Sequence, residues 1–202
     1  KRRYIYAPVD DEKQGICCSY KTLKIMNSII SAFKSAPGHL KFVSVLSIFN
    51  IAYSLIVNVT NFMKGPLSKS QVKQIKASVY EQASAAEEMG GDAADWLVET
   101  TDKLAKIVDY TNANFELNYI SSILVLMVGL MGVFMMVQRK IVGFHLYIIY
   151  SLAAVGQVYL IAPAKDVPTF MIVTNLVISA IFVMMYSRHH KWMQNQPEEP
   201  TI

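Results

Sequence analysis

The chain reads as an all-α, polytopic membrane protein with four transmembrane helices, and three observations point there. Of 202 residues, 53% are hydrophobic and only 17% are charged. The mean hydropathy is +0.31, high for a chain that must stay in water. The charges are bunched, which leaves four long stretches without Asp, Glu, Lys or Arg. Whole-chain disorder, a collagen repeat and a disulfide scaffold are excluded by this composition. A soluble enzyme, which needs charge over most of its surface, is disfavoured.

The four uncharged stretches cover residues 42–63, 117–138, 141–164 and 167–187. Each meets the roughly 20 residues that a bilayer crossing requires. The second carries no polar stripe, as Ile123 to Val128 and Phe134 to Val137 show. A buried helix of a soluble protein ordinarily keeps one.

Orientation follows from the basic flanks. Residues 1–20 form a tail, and basic residues continue up to Lys41. Arg139 and Lys140 separate spans two and three, and Arg188 and Lys191 follow span four. That side holds 12 Lys and Arg, against seven on the other. Both termini, with the C-terminal tail 188–202, are therefore expected in the cytoplasm. The first apolar run starts at Phe42, so span one is expected to act as its own uncleaved insertion signal.

Residues 21–36 read as a basic amphipathic helix. Leu23, Met26, Ile30 and Phe33 recur at helical spacing, Lys21, Lys24 and Lys34 edge the apolar face, and Pro37-Gly38 ends it. It is expected in the inner headgroup layer or against the spans; a cytoplasmic helix packed on a partner is the alternative.

Residues 64–116 read as an extracytoplasmic helical hairpin. Val72, Ile75, Val79, Ala83, Ala86 and Met89 form one stripe. Gly90-Gly91 breaks the chain, Asp92 caps the second arm, and Trp96, Leu97, Leu104, Ile107, Val108 and Phe115 form its stripe. The second arm is free to run on into span two, weakest at Asn112, Asn114 and Asn118. With six Lys against nine acids the hairpin is acidic, so no nucleic-acid binding is expected. Two arms make a thin core. A partner surface at Val72, Ile75, Val79, Trp96 and Leu104 would complete it; the competing reading has the stripes bury only each other. Trp96 is expected near the membrane-distal tip, as a partner anchor or as a core residue closing the arms.

Catalytic and metal chemistry is sparse. Cys17 and Cys18 are adjacent, a poor geometry for pairing with each other. His145, His189 and His190 lie near the inner ends of spans without a ligand-like spacing. No phosphate loop, dinucleotide fingerprint, nucleophile elbow or zinc-protease motif occurs. The expectation is no enzyme and no cofactor. The spans carry uncharged polar groups at Asn50, Gln157 and Asn175, expected with His145 to bond between helices. Gly129, Gly132, Gly143 and Gly156 permit close helix contacts, although none forms GxxxG.

At Arg139-Lys140-x-x-Gly143-Phe144-His145-Leu146-Tyr147 and Met185-Tyr186-Ser187-Arg188 the chain resembles small four-span membrane proteins of the Bacteroidota type. The resemblance covers residues 139–193. It implies a bacterial inner membrane and nothing catalytic, since that group has no assigned activity. The large first outer loop departs from tetraspanins, and claudin-type outer cysteines are missing.

The function expected is a non-catalytic accessory or structural subunit of a larger membrane complex. It would bind the lipid bilayer and other membrane subunits, or a second copy of itself, through the spans and the hairpin. The alternatives are a sensor that binds a ligand at the hairpin, and a carrier or enzyme for an apolar small molecule.

Overall fold

A computed structural model describes residues 30–87 and 91–194 of the chain. The described residues form helices and no strand. Residues 30–35 are helical. There follow α1 (Gly38–Lys64), α2 (Lys69–Glu87), α3 (Asp92–Ala113), α4 (Phe115–Val137) and α5 (Ile141–Gly156). Two 3-10 turns, Gln157–Leu160 and Ala164–Asp166, lead to α6 (Thr169–Ser187) and the short α7 (His190–Gln194). Four helices are long and apolar enough to cross a membrane: α1, α4, α5 with its 3-10 extension to Leu160, and α6.

Local chemistry sets the boundaries. Pro37 holds an extended backbone (φ −56°, ψ 144°) from which α1 starts, four residues ahead of the uncharged stretch. Gly65, at φ 79°, stops α1 in a conformation that side chains with a Cβ resist. The third span is shorter than residues 141–164. Its α-helix ends at Gly156 and tightens to 3-10 as far as Leu160. Pro163 and Pro168 then hold extended backbone on either side of Ala164–Asp166. Proline lacks the donor N–H and disfavours a helical residue before it, so residues 161–168 belong to the connection.

The second arm does not run unbroken into span two. The helix is interrupted at Asn114 (φ −108°, ψ 39°). Its side-chain Nδ2 donates to the carbonyls of Tyr110 (3.1 Å) and Ile161 (3.4 Å). Asparagine competes in this way for the backbone groups that a helix would use. Asn112 clasps the preceding loop: Leu67 N–H donates to its Oδ1 at 2.7 Å and its Nδ2 donates to Leu67 O at 3.2 Å.

The main core joins Leu40, Val43 and Ile51 of α1 with Val133 and Met136 of α4 and Tyr186 of α6. Helices α4 and α5 meet backbone to backbone. A Cβ at Gly143 would lie 2.5 Å from Met136 N and 2.6 Å from Gly132 O, and one at Gly129 would lie 2.7 Å from the Tyr150 ring. Gly156 has open space and takes no part. By contrast α6 is scarcely packed, with 6% of its apolar window buried against 39% for α4.

Arg139 turns the chain from α4 to α5 in the left-handed region (φ 62°). Lys140 N–H donates to Met135 O (2.9 Å) and Arg139 N–H to Met136 O (3.1 Å), a Schellman closure with arginine where glycine is usual.

Helices α2 and α3 pair through polar bonds as much as apolar contact. Lys76 pairs with Asp109, and Tyr80 OH donates to Asp102 at 3.0 Å. The buried face of α3 is small: Thr100, Thr101 and Ala105. Lys106 Nζ (2.9 Å) and Tyr110 OH (2.8 Å) both donate to Asp166, while Ile107 and Tyr110 pack on the cluster of Val158, Ile161, Ala162 and Val167. Trp96, about one turn into α3, meets Phe170 in the first turn of α6. Helix α3 therefore lies over one end of the bundle. This corrects the distal placement of Trp96: its ring sits level with the start of a membrane span.

Of the residue 21–36 helix, Leu23 and Met26 lie outside the described residues, as do Cys17 and Cys18. Ile30 is exposed and Phe33 half-buried.

Candidate functional site

Each span contributes uncharged polar side chains at helical spacing. On α1 they are Ser47, Asn50, Ser54, Asn58 and Asn61, three or four residues apart and hence on one face. Helix α4 adds Asn118 and Ser122; the third span adds Tyr147, Tyr150, Ser151 and Gln157; α6 adds Asn175 and Ser179. These stripes converge on three cavities that share Ala154 as a wall, of about 410, 190 and 70 Å³. Together they form a polar cleft inside the set of spans. No carboxylate, amine, guanidinium or imidazole lines any of the three.

The narrow end of the cleft is closed by hydroxyls. Tyr186 OH lies 3.0 Å from Ser47 Oγ, which lies 3.4 Å from Tyr147 OH. All three residues are buried, and the two tyrosine rings meet at 4.8 Å and 63°. The wide end is lined by amides. Asn58 Nδ2 donates to Ser54 O at 2.8 Å, and Ser122 Oγ reaches Gln157 Oε1 at 3.5 Å. An amide that spends one group this way still offers the other, so the wall presents both donors and acceptors. Such a lining can hold a neutral hydrogen-bonding group; it provides no base to activate a serine and no charge to fix an ion.

The expected interhelical polar residues divide. Gln157 does reach across to α4 through Ser122. Asn50 and Asn175 make no hydrogen bond among the described residues and are exposed, lining the cleft. His145 is likewise exposed, with only its ring near Phe144. Interhelical bonding at these three is corrected for the single chain: Asn50 and Asn175 face the cleft and His145 is exposed, so none meets a polar group of a neighbouring helix among the described residues. Of the hairpin residues, Trp96 and Ile75 are exposed, while Val72, Val79 and Leu104 are half-buried.

The opposite end carries a second cluster. His39 Nδ1 and His189 Nε2 lie 3.1 Å apart, so one nitrogen is donor and the other acceptor. Burial, with His39 and Arg188 adding to it, holds the His189 imidazolium below its usual range. Arg139 lies over the Trp192 ring at 5.0 Å and donates to Ser35 Oγ at 3.3 Å. His190 faces Phe144 edge-on. No group of three metal-ligating side chains occurs among the described residues.

The α1 stripe was available in the sequence as a three- and four-residue repeat of Ser and Asn, but isolated amides conceal it when each is weighed alone. His39 pairs with a residue 150 positions away, and no local signal marks such a contact. Comparison with family models, with curated proteins and with solved structures finds no match.

Proposed function

We propose that this four-span membrane protein is a non-catalytic subunit of a larger membrane assembly, and that a partner's transmembrane helix lies along α6 beside the cleft. The observation that carries the reading is the sparse packing of α6, with 6% of its apolar window buried. Asn50 lies 12 residues after Gly38 and Asn175 lies 12 residues before Ser187, so each sits about 18 Å from its helix end. Two amides at one depth, unpaired among the described residues, suit a polar residue on an entering helix. Each such bond is worth about 0.6 kcal/mol on average in a membrane, enough to set register.

The resemblance and the charge asymmetry support an inner-membrane setting, with the His39–His189 end in the cytoplasm and the α2–α3 pair outside. The test is purification at native expression in mild detergent, with mass spectrometry of what co-elutes. A stoichiometric membrane partner, recovered severalfold less well with the Asn50→Leu, Asn175→Leu double variant, is the expected result. A chain that elutes alone, or a partner indifferent to both substitutions, sinks the reading. The second reading, a carrier for a small neutral molecule, draws on the same cleft.

A further inference from the structure

The 410 Å³ chamber has a neighbour of opposite character. A chamber of about 390 Å³ lies under the α2–α3 pair and shares Asn61 and Tyr119 with it. Its walls include Leu67, Ile75, Ile107, Val108 and Phe115, with Lys64 exposed at its edge. An amide-lined space thus adjoins a mainly apolar one, and each lies in the size range of a ligand pocket, about 300–1,000 Å³.

We propose that the paired chambers bind one molecule of a neutral membrane amphiphile, a lipid with an uncharged hydroxyl-bearing headgroup. The headgroup sits among Asn58, Asn61, Asn118 and Gln157, and part of an acyl chain fills the apolar chamber. Three features select this class. The amide chamber is lined by no carboxylate, amine, guanidinium or imidazole, so a phosphate or ammonium there would lose hydration without a counter-charge. The side-chain amides of Asn61 and Asn118 make no hydrogen bond among the described residues, and Gln157 keeps its NH2 free, so donors and acceptors await a group that is both. Hydroxyls are such groups. Finally, the apolar walls of the second chamber give a chain a place that a free polyol cannot use.

The inference does not depend on a partner helix, because the walls of both chambers come from α1 to α5 and Gln157. The test uses the full chain in phosphatidylcholine vesicles. Diacylglycerol carrying a photoactivatable group near its glycerol end is compared with phosphatidic acid bearing the same chains and group. The expected result is saturable labelling within residues 54–61 and 118–125 by diacylglycerol, about tenfold above phosphatidic acid. Unlabelled diacylglycerol should compete and glycerol should not. In Asn118→Leu, where the branched shape is kept and the amide lost, the labelling should fall severalfold with the melting temperature held. Should that variant fail to fold, the headgroup preference of the unaltered protein decides. Equal labelling by both lipids, labelling that never saturates, or competition by glycerol alone overturns the proposal.

Discussion

Trp96 lies edge-on to Phe170, ring centroids 5.8 Å apart at 71°, and so ties the first part of α3 to the first turn of α6. The two residues come from segments that pattern alone leaves unrelated. An aromatic pair of this geometry contributes about 0.5–1.5 kcal/mol beyond its burial.

Trp96→Ala should therefore release the beginning of α3 while leaving the spans packed. Amide exchange across residues 95–105 should quicken by up to about tenfold. The global melting temperature should barely move, and Trp96→Phe should restore most of the protection. A large drop in melting temperature would assign Trp96 to the core instead.

Asp166 is the pH-sensitive fastening between α3 and the bundle. Lys106 and Tyr110 hydrogen-bond its carboxylate and hold it below its ordinary 3.8. Its contribution is complete above pH 3.8 and is lost as pH falls through the lowered value. Lys106 is raised above 10.5 by the same partner, so its contribution is complete below that pH and fades as pH climbs through the raised value. Protection of α3 against proteolysis should be flat between these limits and fall outside them. Asp166→Asn should lower the plateau and remove the acid limb.

Glycines 143 and 156 should respond in opposite directions to alanine. At Gly143 the new Cβ meets backbone atoms of α4 that cannot swing aside. Overpacking of this kind costs about 1–3 kcal/mol, to be read as earlier unfolding in detergent. At Gly156 nothing lies within 4 Å. There alanine should be neutral or gain about 0.5–1 kcal/mol from helix propensity.

The proposed orientation is testable by thiol labelling in a variant lacking Cys17 and Cys18. A cysteine at Ser84 should react with a membrane-impermeant reagent in intact spheroplasts. One at Ser187 should react only after lysis. The reverse pattern would invert the topology.

How much of this was legible beforehand depends on the range of each signal. The four spans were, because the absence of charge over about 20 residues is a strong local pattern. The break between α3 and α4 was narrowed to three asparagines, and Asn114 is the one whose side chain finds two carbonyls. The early end of α5 was hidden because Ile161, Ala162 and Ala164 look as apolar as the helix before them; only the prolines hint at it. The cleft was missed for a different reason. Its residues come from four helices, and Asn50 and Asn175, mid-span amides whose pattern suggests bonds between helices, face a space instead.

The interruption at Asn114 also decides what covers the polar cleft. An unbroken α3–α4 rod would have carried α3 away from the bilayer and left the cleft open to water from above. Because the chain bends there instead, Ile107 and Thr111 of α3 form part of a roof over the 190 Å³ cavity. The narrow end has no such roof, and there exposed Asn50 lies beside Ile178, Ser179 and Phe182 of α6. If the four helices span a bilayer as proposed, that side faces its interior, so the amides left unpaired there meet lipid or a partner helix before they meet water.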